Sequence, residues 1–452
     1  MTPLFGTDGI RAEAGHFPLD PVTIKTIGFS LARHLSDAQL KPKIVIGRDT
    51  RESGGWIEQA LSSGATEGGA ECHSAGVITT PGVAYLTRTL PADAGVVISA
   101  SHNPFQDNGI KIFSPSGKKI SEAVEQQIEQ DVFLAQTNNK SHIPDQSVDS
   151  SPEFEADLTD LYLNFLSEEI GTGLSLSGLS LVIDCANGAS FNIAPRLFKK
   201  LGAQVIAINC EPNGRNINLN CGSLHIDALQ QRVLAEKANL GVAFDGDADR
   251  SLFGDEGGNY VDGDCALWVL AKNLQDRKQL QDNVVVATVM SNLGLEVALR
   301  SRGIKLIRAD VGDKYVLDEL LRIRGSLGGE QSGHVIMPRL SLAGDGMITA
   351  LCLLRSLTEA HQSLSSLLEG FEHYPQTLVN VCVREKTPFA ELPLVQKAVA
   401  DVEERLAANG RLLLRYSGTE RLARVMIEGR SQEEIEVFAS QIANAIRQEI
   451  GV

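Results

Sequence analysis

Apolar runs that are typical of buried β-strands alternate with helical periodicity in the first part of the chain. Residues 43–47 (KIVIG) and 94–99 (AGVVIS) are such runs, and residues 56–61 between them carry apolar positions at helical spacing. A strand, a helix and a second strand in this order indicate a β-α-β unit, in which helices cover parallel strands. The pattern therefore predicts an α/β fold with a mostly parallel sheet.

The same alternation restarts twice further along the chain. The later apolar runs lie at residues 179–184, 204–208, 240–244, 284–289 and 304–307, and a helical stretch passes through Leu295 and Leu299. Three blocks of similar size indicate one fold unit that is used three times. Residues 136–152 are polar and have neither period, which predicts a linker or long loop near the first boundary.

The C-terminal part of the chain follows a different pattern. Its predicted elements are a strand at residues 378–383, a helix through Val395, Val399 and Val402, a strand pair at 411–415 and 422–427, and a closing helix with an apolar stripe at Ile435, Phe438, Ile442 and Ile446. Ser431 and Glu434 fit a capping box at the start of that helix. These elements predict a compact α+β module.

Composition places the chain among ordinary globular proteins. It has 452 residues, of which 43% are hydrophobic and 22% charged, and at roughly 150 residues per domain this length suits about three domains. The 41 Lys and Arg against 57 Asp and Glu give a net charge of −16. That balance argues against non-specific binding to nucleic acid or to an anionic membrane.

Cysteine usage and the N-terminus bear on the compartment. The seven cysteines form no C-x-x-C pair, so we interpret them as reduced, mostly buried residues. The first dozen residues include Asp8 and Arg11 without an apolar core, and no apolar run reaches the ~18 residues that could span a bilayer. We therefore expect a cytoplasmic protein that does not enter membranes.

The loop Asp245-Gly246-Asp247-Ala248-Asp249-Arg250, which follows an apolar strand, is the most informative segment. Three carboxylates in one loop can converge on a hard cation and leave coordination sites for a phosphate oxygen, which suits Mg²⁺. A calcium loop would place Glu256 at position 12, but its position 6 needs glycine and here is Arg250. A solvated acidic turn is the simpler alternative.

A second polar loop, Ser99-Ala100-Ser101-His102-Asn103-Pro104, also follows a buried strand. It is expected at the carboxyl edge of the sheet, where α/β proteins bind ligands. Ser101 is therefore a candidate nucleophile that accepts a phosphoryl group. The competing interpretation is structural, since serines at strand ends are often caps or turn formers.

Other loops carry groups that suit phosphate or sugar. Basic, glycine-rich turns lie at residues 6–11, at 109–111 and at 415–420, with Arg424 beyond the last of them. Arginines, hydroxyls and backbone N–H groups at such a turn can bind a phosphate, although 415–420 can also be a plain hairpin. Residues 328–334 bring Glu330, Ser332 and His334 into one loop, a set of groups that suits sugar hydroxyls.

Four of these motifs occur in the order found in the α-D-phosphohexomutases, and the chain resembles that family over essentially its whole length. The motifs are SASHNP followed by DNGIK, DGDADR, GEQSGH, and RYSGTE. The resemblance implies three related α/β domains with mixed sheets and a C-terminal α+β domain of the TATA-binding-protein type, arranged around a central cleft. We expect these domains at residues 1–153, 154–257, 258–369 and 370–452.

The resemblance also implies a role for each matching residue. Ser101 corresponds to the phosphorylated serine, which completes the Mg²⁺ site of Asp245, Asp247 and Asp249. The residues around the transferred phosphoryl group are Arg11, Lys111, Arg250 and His334. The sugar loop supplies Glu330 and Ser332, and the residues that hold the other phosphate are Arg415, Ser417, Gly418, Thr419 and Arg424.

The reaction that the resemblance implies interconverts glucosamine 6-phosphate and glucosamine 1-phosphate through a phosphoserine and a 1,6-bisphosphate. A glucosamine or glucose 1,6-bisphosphate would act as activator, and the product would feed UDP-N-acetylglucosamine and cell-wall precursor synthesis. Gln331 is typical of the glucosamine branch. The expected partner is the phosphosugar, with neither nucleic acid nor membrane, and a homodimer is compatible with the family.

Alternatives remain open within and outside the family. A phosphoglucomutase or phosphomannomutase is the nearest alternative, while a serine-dependent phosphatase and a non-catalytic sugar-phosphate sensor would use the same loops. The sequence departs from the usual family motifs at Ala12, Ala248 and Arg421. None of the three removes a proposed ligand, but Ala248 has less backbone freedom than the usual glycine.

Overall fold

The structure, a computed structural model, describes residues 3–6, 8–36, 41–137, 153–154, 157–417 and 420–452. Two units follow from the packing, Met1–Thr288 with Ala309–Glu369 and Val289–Arg308 with Gly370–Val452. Residues 138–152, which form most of the predicted linker, lie outside the described part of the chain, whereas its first two residues end a helix. The four domain boundaries stay predictions.

The first sheet contains seven strands. The elements of this part are β1 (Phe5–Gly6), β2 (Gly9–Glu13), α1 (Pro21–Leu35), β3 (Lys43–Arg48), α2 (Gly54–Glu67), β4 (Glu71–Val77), α3 (Thr80–Thr89), β5 (Ala94–Ile98), β6 (Asp107–Phe113), α4 (Glu122–Thr137) and β7 (Glu153–Phe154). The strand order is β1-β2-β6-β5-β3-β4-β7. Strands β3, β4, β5 and β7 run parallel, while β1, β2 and β6 add antiparallel pairs, so the sheet is mixed rather than mostly parallel. Ile46 and Val96 are fully buried in its core, as the apolar runs predicted.

The second sheet has five strands. The elements of this part are α5 (Asp157–Asn164) with a π-helical turn (Phe165–Ile170), β8 (Ser180–Asp184), α6 (Ile193–Lys200), β9 (Gln204–Ile208), α7 (Asp227–Glu236), β10 (Leu240–Phe244), β11 (Ser251–Gly254) and β12 (Tyr260–Val261). The strand order is β12-β11-β10-β8-β9. Strands β8, β9 and β10 are parallel, and β11 and β12 continue the sheet antiparallel. Leu229 and Val233 of α7 pack on Val182 of β8.

A third set of elements follows. It comprises α8 (Gly263–Asp276), β13 (Val284–Thr288), α9 (Leu293–Ser301), β14 (Lys305–Ala309), α10 (Asp313–Ile323), β15 (Gly328–Gly329), β16 (Val335–Ile336), α11 (Gly346–Ala360) and α12 (Leu364–Leu367). Helix α9 belongs to the second unit, and the unit boundary falls within β14. In the first unit β13 pairs parallel with β15, which pairs antiparallel with β16.

All three sheets share one local arrangement. In each, a strand that has a parallel neighbour is followed by a loop and an antiparallel partner: β5 by β6, β10 by β11, and β15 by β16. The serine loop, the acidic loop and the sugar loop are these three connections. Their common placement agrees with the prediction of one fold unit used three times.

The C-terminal elements of the second unit form a smaller α+β layer. They are β17 (Gln376–Cys382), α13 (Pro393–Leu406), β18 (Gly410–Tyr416), β19 (Leu422–Gly429) and α14 (Gln432–Ile450), with an antiparallel sheet in the order β17-β19-β18. Val395, Phe438 and Ile442 are buried against this sheet, and the Ser431 side chain caps α14 by accepting from the N–H of Glu434. The predicted fold class, α/β with a smaller α+β part, is confirmed.

The described helices also bear on membrane insertion. None of them combines the length and apolar character that crossing a bilayer requires.

Candidate active site

Ser101 lies at the carboxyl end of β5 and joins the first sheet to the second. Its side chain is 1% exposed, and its Oγ donates to Oδ2 of Asp245 at 2.5 Å. The backbone is left-handed there, with a φ of 53°, a conformation that is strained for a residue with a side chain. The candidate nucleophile and the acidic loop, which 144 residues separate in sequence, therefore meet in the folded chain.

The three aspartates of the acidic loop form one buried cluster. Asp245, Asp247 and Asp249 each offer a carboxylate oxygen, and these oxygens lie within 4.8 Å of one another. Oδ1 of Asp247 is buried without a hydrogen-bond partner, which is costly unless a cation takes its lone pairs. The donor set is all oxygen, as Mg²⁺ prefers. The cluster therefore fits a hard divalent cation.

Electrostatics within the cluster are uneven. Burial, together with the charges of Asp249 and Asp247, raises the pKa of Asp245 well above its ordinary value. Burial would also raise the pKa of Asp249, but Lys111, His334 and Arg250 hold it well below its ordinary value. Asp249 is thus the carboxylate that the surrounding cations stabilise most clearly in its charged form.

Lys111 of β6 neutralises part of this negative charge. Its Nζ donates to Oδ2 of Asp247 at 2.9 Å and to Oδ2 of Asp249 at 3.3 Å, and lies 3.0 Å from Oδ2 of Asp8. Burial alone would lower the pKa of Lys111, but these three carboxylates raise it well above its ordinary value. Lys111 is therefore a permanently charged ammonium in the centre of the site.

A cavity of about 450 Å³ opens beside this centre and is lined by Arg11, Asp249, Arg250, Glu330 and His334, among others. His334 Nδ1 lies 3.6 Å from Oδ1 of Asp249. Although burial would lower the pKa of His334, the Asp249 carboxylate raises it to about 9, so the imidazole is cationic near neutral pH. The cavity is large enough for a small ligand and offers cations on several sides.

The side chains of the sugar loop differ in their surroundings, although the motif predicted a shared role in sugar binding. Glu330 lines the cavity, and its Oε1 accepts from the N–H of Gly312 at 3.2 Å. Ser332 is not among the lining residues, and its Oγ is buried without a hydrogen-bond partner. Gln331 donates through Nε2 to Asp262 at 3.1 Å, so its amide is already engaged by the protein.

The predicted phosphate loop belongs to the second unit. Arg415 lies at the end of β18, and Nη2 of Arg424 donates to Oγ of Ser417 at 3.4 Å. Burial and the neighbouring charge of Arg424 lower the pKa of Arg415, which indicates two like charges held near each other. The remaining predicted members, Gly418 and Thr419, lie outside the described residues.

Four further residues take part in the site. Lys119 Nζ lies 2.7 Å from Oδ1 of Asp8 and 2.7 Å from Oδ2 of Asp313, and Oγ1 of Thr80 donates to Oδ2 of Asp247 at 2.6 Å. Asp8 also pairs with Arg11. Thr80 is the first residue of α3, shortly after the end of β4. The expectation that ligand-binding residues follow strand ends, which identified Ser101, therefore also applies to Thr80. Nothing in the local sequence singles out Lys119 or Asp313.

Family models match four successive parts of the chain. Those for phosphoglucomutase/phosphomannomutase alpha/beta/alpha domains I, II and III match residues 2–139, 160–258 and 262–374, and the model for the C-terminal domain matches residues 378–445. A curated relative from Solibacter usitatus (strain Ellin6076), named phosphoglucosamine mutase, is 50% identical over 448 residues, which cover 99% of either chain.

Solved structures of low sequence identity share the fold. A phosphoglucomutase/phosphomannomutase family protein from Burkholderia thailandensis aligns over 100% of both chains, with a TM-score of 0.79 at 23% identity. The Aspergillus fumigatus N-acetylphosphoglucosamine mutase, solved with GlcNAc-6P and magnesium, aligns over 98% of this chain and 95% of its own, with a TM-score of 0.65 at 19% identity. Because all four domain models match in order, the chain belongs to the phosphoglucomutase/phosphomannomutase family.

Proposed function

We propose that this chain is a phosphoglucosamine mutase, which interconverts D-glucosamine 6-phosphate and D-glucosamine 1-phosphate by phosphoryl transfer through Ser101. The observation that carries the proposal is the hydrogen bond from Oγ of Ser101 to Oδ2 of Asp245 inside the buried acidic cluster. A relative of this name is 50% identical over nearly the whole chain, which supports the choice of reaction within the family.

The first half-reaction moves the phosphoryl group from phosphorylated Ser101 to the free hydroxyl of the sugar phosphate. The bond from phosphorus to Oγ of Ser101 breaks and a bond from phosphorus to the sugar oxygen forms. The sugar hydroxyl gives its proton to a base, and the released serine oxygen takes up a proton to become a hydroxyl. The second half-reaction returns the other phosphoryl group of the 1,6-bisphosphate to Ser101. The proton of the serine hydroxyl then has Oδ2 of Asp245 as its hydrogen-bonded acceptor, at 2.5 Å.

The chain's own cations stabilise charge during transfer. Lys111 is buried against the aspartates, and Arg250 and His334 line the adjoining cavity with Arg11. Fixed cations in a water-poor site stabilise the transition state without reorganising, and one such donor is typically worth about 3–4 kcal/mol. Catalysis would therefore rest on positioning and electrostatics.

A divalent cation, Mg²⁺ in our proposal, would be held by Asp245, Asp247, Asp249 and the phosphoserine. When bound, it would neutralise negative charge on the transferring phosphoryl group. The unpartnered Oδ1 of Asp247 supports this assignment. Lys111, His334 and Arg250 offset only part of the negative charge that buried carboxylates carry here.

The remaining parts of the proposal concern the sugar and the second phosphate. Glu330 would bind sugar hydroxyls or the amino group from the cavity wall, and Ser332 would need a change in side-chain orientation to contribute. Arg415, Ser417, Gly418, Thr419 and Arg424 would bind the phosphate that is not transferred. A homodimer stays a prediction, which light scattering of the purified chain tests.

Turnover of three phosphosugars tests the function directly. With Mg²⁺ and glucose 1,6-bisphosphate present, we expect the highest kcat/KM on glucosamine phosphate, ahead of glucose and mannose phosphates. Preference for either of the other sugars would favour the phosphoglucomutase/phosphomannomutase alternative. Inorganic phosphate released faster than isomer would favour a phosphatase, and binding without turnover would favour a sensor.

A further inference from the structure

The backbone of the serine loop is bound by two side chains that lie outside the four sequence motifs, Arg51 and Asn218. Nη2 of Arg51 donates to the carbonyl oxygens of both Ser101 and Asn103, each at 2.9 Å. Nδ2 of Asn218 donates to the same two oxygens, at 2.9 and 3.0 Å. Each nitrogen therefore bridges the same pair of carbonyls, and we call Arg51 and Asn218 together the carbonyl clamp.

The two halves of the clamp come from different sheets. Arg51 lies just beyond β3 of the first sheet, while Asn218 lies in the connection that follows β9 of the second sheet. The N–H of Asn218 donates to the carbonyl of Ala186 at 2.9 Å, which ties its loop to the end of β8. The clamp thus fixes the serine loop to both sheets at once.

Arg51 is itself held rigidly. It is 1% exposed, and its Nε donates to Oδ2 of Asp49 at 2.9 Å. The same Asp49 oxygen accepts from Oγ of Ser99 at 2.6 Å, and Oγ of Ser99 accepts from the N–H of Ser101 at 2.9 Å. Arg51, Asp49 and Ser99 therefore form a connected set of hydrogen bonds that binds both the N–H and the carbonyl of Ser101. Planar, forked geometry makes Arg suited to this role where Lys is not.

We propose that Arg51 and Asn218 are positioning residues for phosphoryl transfer, and that they hold Ser101 in its left-handed conformation with Oγ directed at Asp245. A φ of 53° is unfavourable for serine, so it persists only where neighbouring bonds enforce it. The carbonyl oxygens of Ser101 and Asn103 both accept hydrogen bonds from the clamp. Neither oxygen can therefore turn toward an anionic phosphoryl group. This inference rests on the proposed function, because it concerns the serine that the reaction uses.

Asn218→Gly is the sharpest test, with Asn220→Gly as its matched control. Both residues have a left-handed backbone, with φ of 59° and 52°, so glycine relieves strain equally at the two positions. Asn220 is exposed and lies two residues from the clamp. The difference between the variants therefore reports the loss of the Asn218 amide rather than a change in backbone preference.

The readouts separate positioning from stability. We would measure kcat, KM and the thermal midpoint, together with the single-turnover rate at which glucose 1,6-bisphosphate phosphorylates Ser101, followed by intact mass. For Asn218→Gly we expect kcat and the phosphorylation rate at least about fivefold below those of Asn220→Gly, with KM within about twofold. Arg51→Lys keeps a cation beside Asp49 but loses the fork, and we expect a larger fall in the same two rates.

One result would overturn the proposal that the clamp positions Ser101. If Asn218→Gly is phosphorylated and turns over within about fivefold of Asn220→Gly, the clamp does not position Ser101, whatever happens to the thermal midpoint. Failure of the proposed function looks different, because wild type and Asn220→Gly would then also fail to isomerise the sugar phosphate. Phosphorylation of Ser101 without isomerisation would contradict the proposed function and leave the clamp test intact.

Discussion

Gly246 separates Asp245 from Asp247, and its missing side chain allows the acidic loop to touch the serine loop. A Cβ built at this position would lie 2.4 Å from the carbonyl oxygen of Ser101 and 2.9 Å from Nδ2 of Asn218. Ordinary contacts begin at about 3.4 Å, so Gly246→Ala has to push the two loops apart by about 1 Å. The obstacle is backbone, which cannot rotate out of the way as a side chain can.

The expected cost follows from that displacement. Overpacking of this kind destabilises by about 1–3 kcal/mol, and misplacing a reacting group by 1 Å can lower the rate by about 10²-fold. We therefore predict that Gly246→Ala lowers kcat by about two decades and also lowers the thermal midpoint. The fall in kcat should persist at saturating Mg²⁺ and substrate, because the separation between Ser101 and Asp245 has changed rather than ligand affinity.

Gly254→Ala provides the matched control. Gly254 is also a buried glycine of the second sheet, but a Cβ there would meet its nearest atoms only at 3.9–4.0 Å. Activity and thermal midpoint of this variant should stay near those of wild type. If Gly246→Ala matched Gly254→Ala in kcat, the close approach of the two loops would have no catalytic importance.

Three further predictions concern charge. Burial raises the pKa of Asp345 from 3.8 to about 6, so the folded state binds the proton of this carboxyl more tightly than the unfolded state does. As the pH rises from about 4 to 6, the contribution of Asp345 to the free energy of unfolding therefore falls by about 3 kcal/mol. Asp345→Asn should remove this fall from urea titrations, and an unchanged pH profile of the variant would contradict the prediction. Chelation by EDTA should abolish turnover and lower the thermal midpoint, with both restored by Mg²⁺; full activity in EDTA would exclude a metal requirement. Arg415→Gln should lower kcat/KM by about 10–100-fold, chiefly through KM, since hydrogen bonds to a charged group contribute about 1.5–3 kcal/mol; a loss confined to kcat would argue against a binding role.

The elements that the sequence predicted well are those set by local pattern. The runs 94–99 and 240–244 became the buried strands β5 and β10, because an apolar run of this length between turn signals has few other solutions. The chemistry-bearing loops were found because strand ends at one sheet edge are where α/β proteins place ligands. The sequence therefore identifies both Ser101 and Asp245 as site residues, whereas their contact depends on the folded structure.

What the sequence did not predict depends on tertiary contacts. Lys119 and Asp313 are 194 residues apart, and no local signal announces their ion pair. The left-handed backbone of Ser101 and the need for a glycine at position 246 both arise because loops from two sheets pack against each other. The orientation of Ser332, whose Oγ is buried without a partner, likewise follows from the fold of its loop and not from its motif.

We propose that Ser101 carries the phosphoryl group during turnover, and a phosphorylation and chase experiment tests this role directly. The wild-type chain is incubated with Mg²⁺ and glucose 1,6-bisphosphate, mapped by peptide mass, and then mixed with glucosamine 6-phosphate. We expect phosphate on Ser101 alone, its transfer to sugar at a rate no slower than kcat, and neither event in Ser101→Ala. Phosphate on another residue, or undiminished turnover by Ser101→Ala, would show that Ser101 does not carry the phosphoryl group.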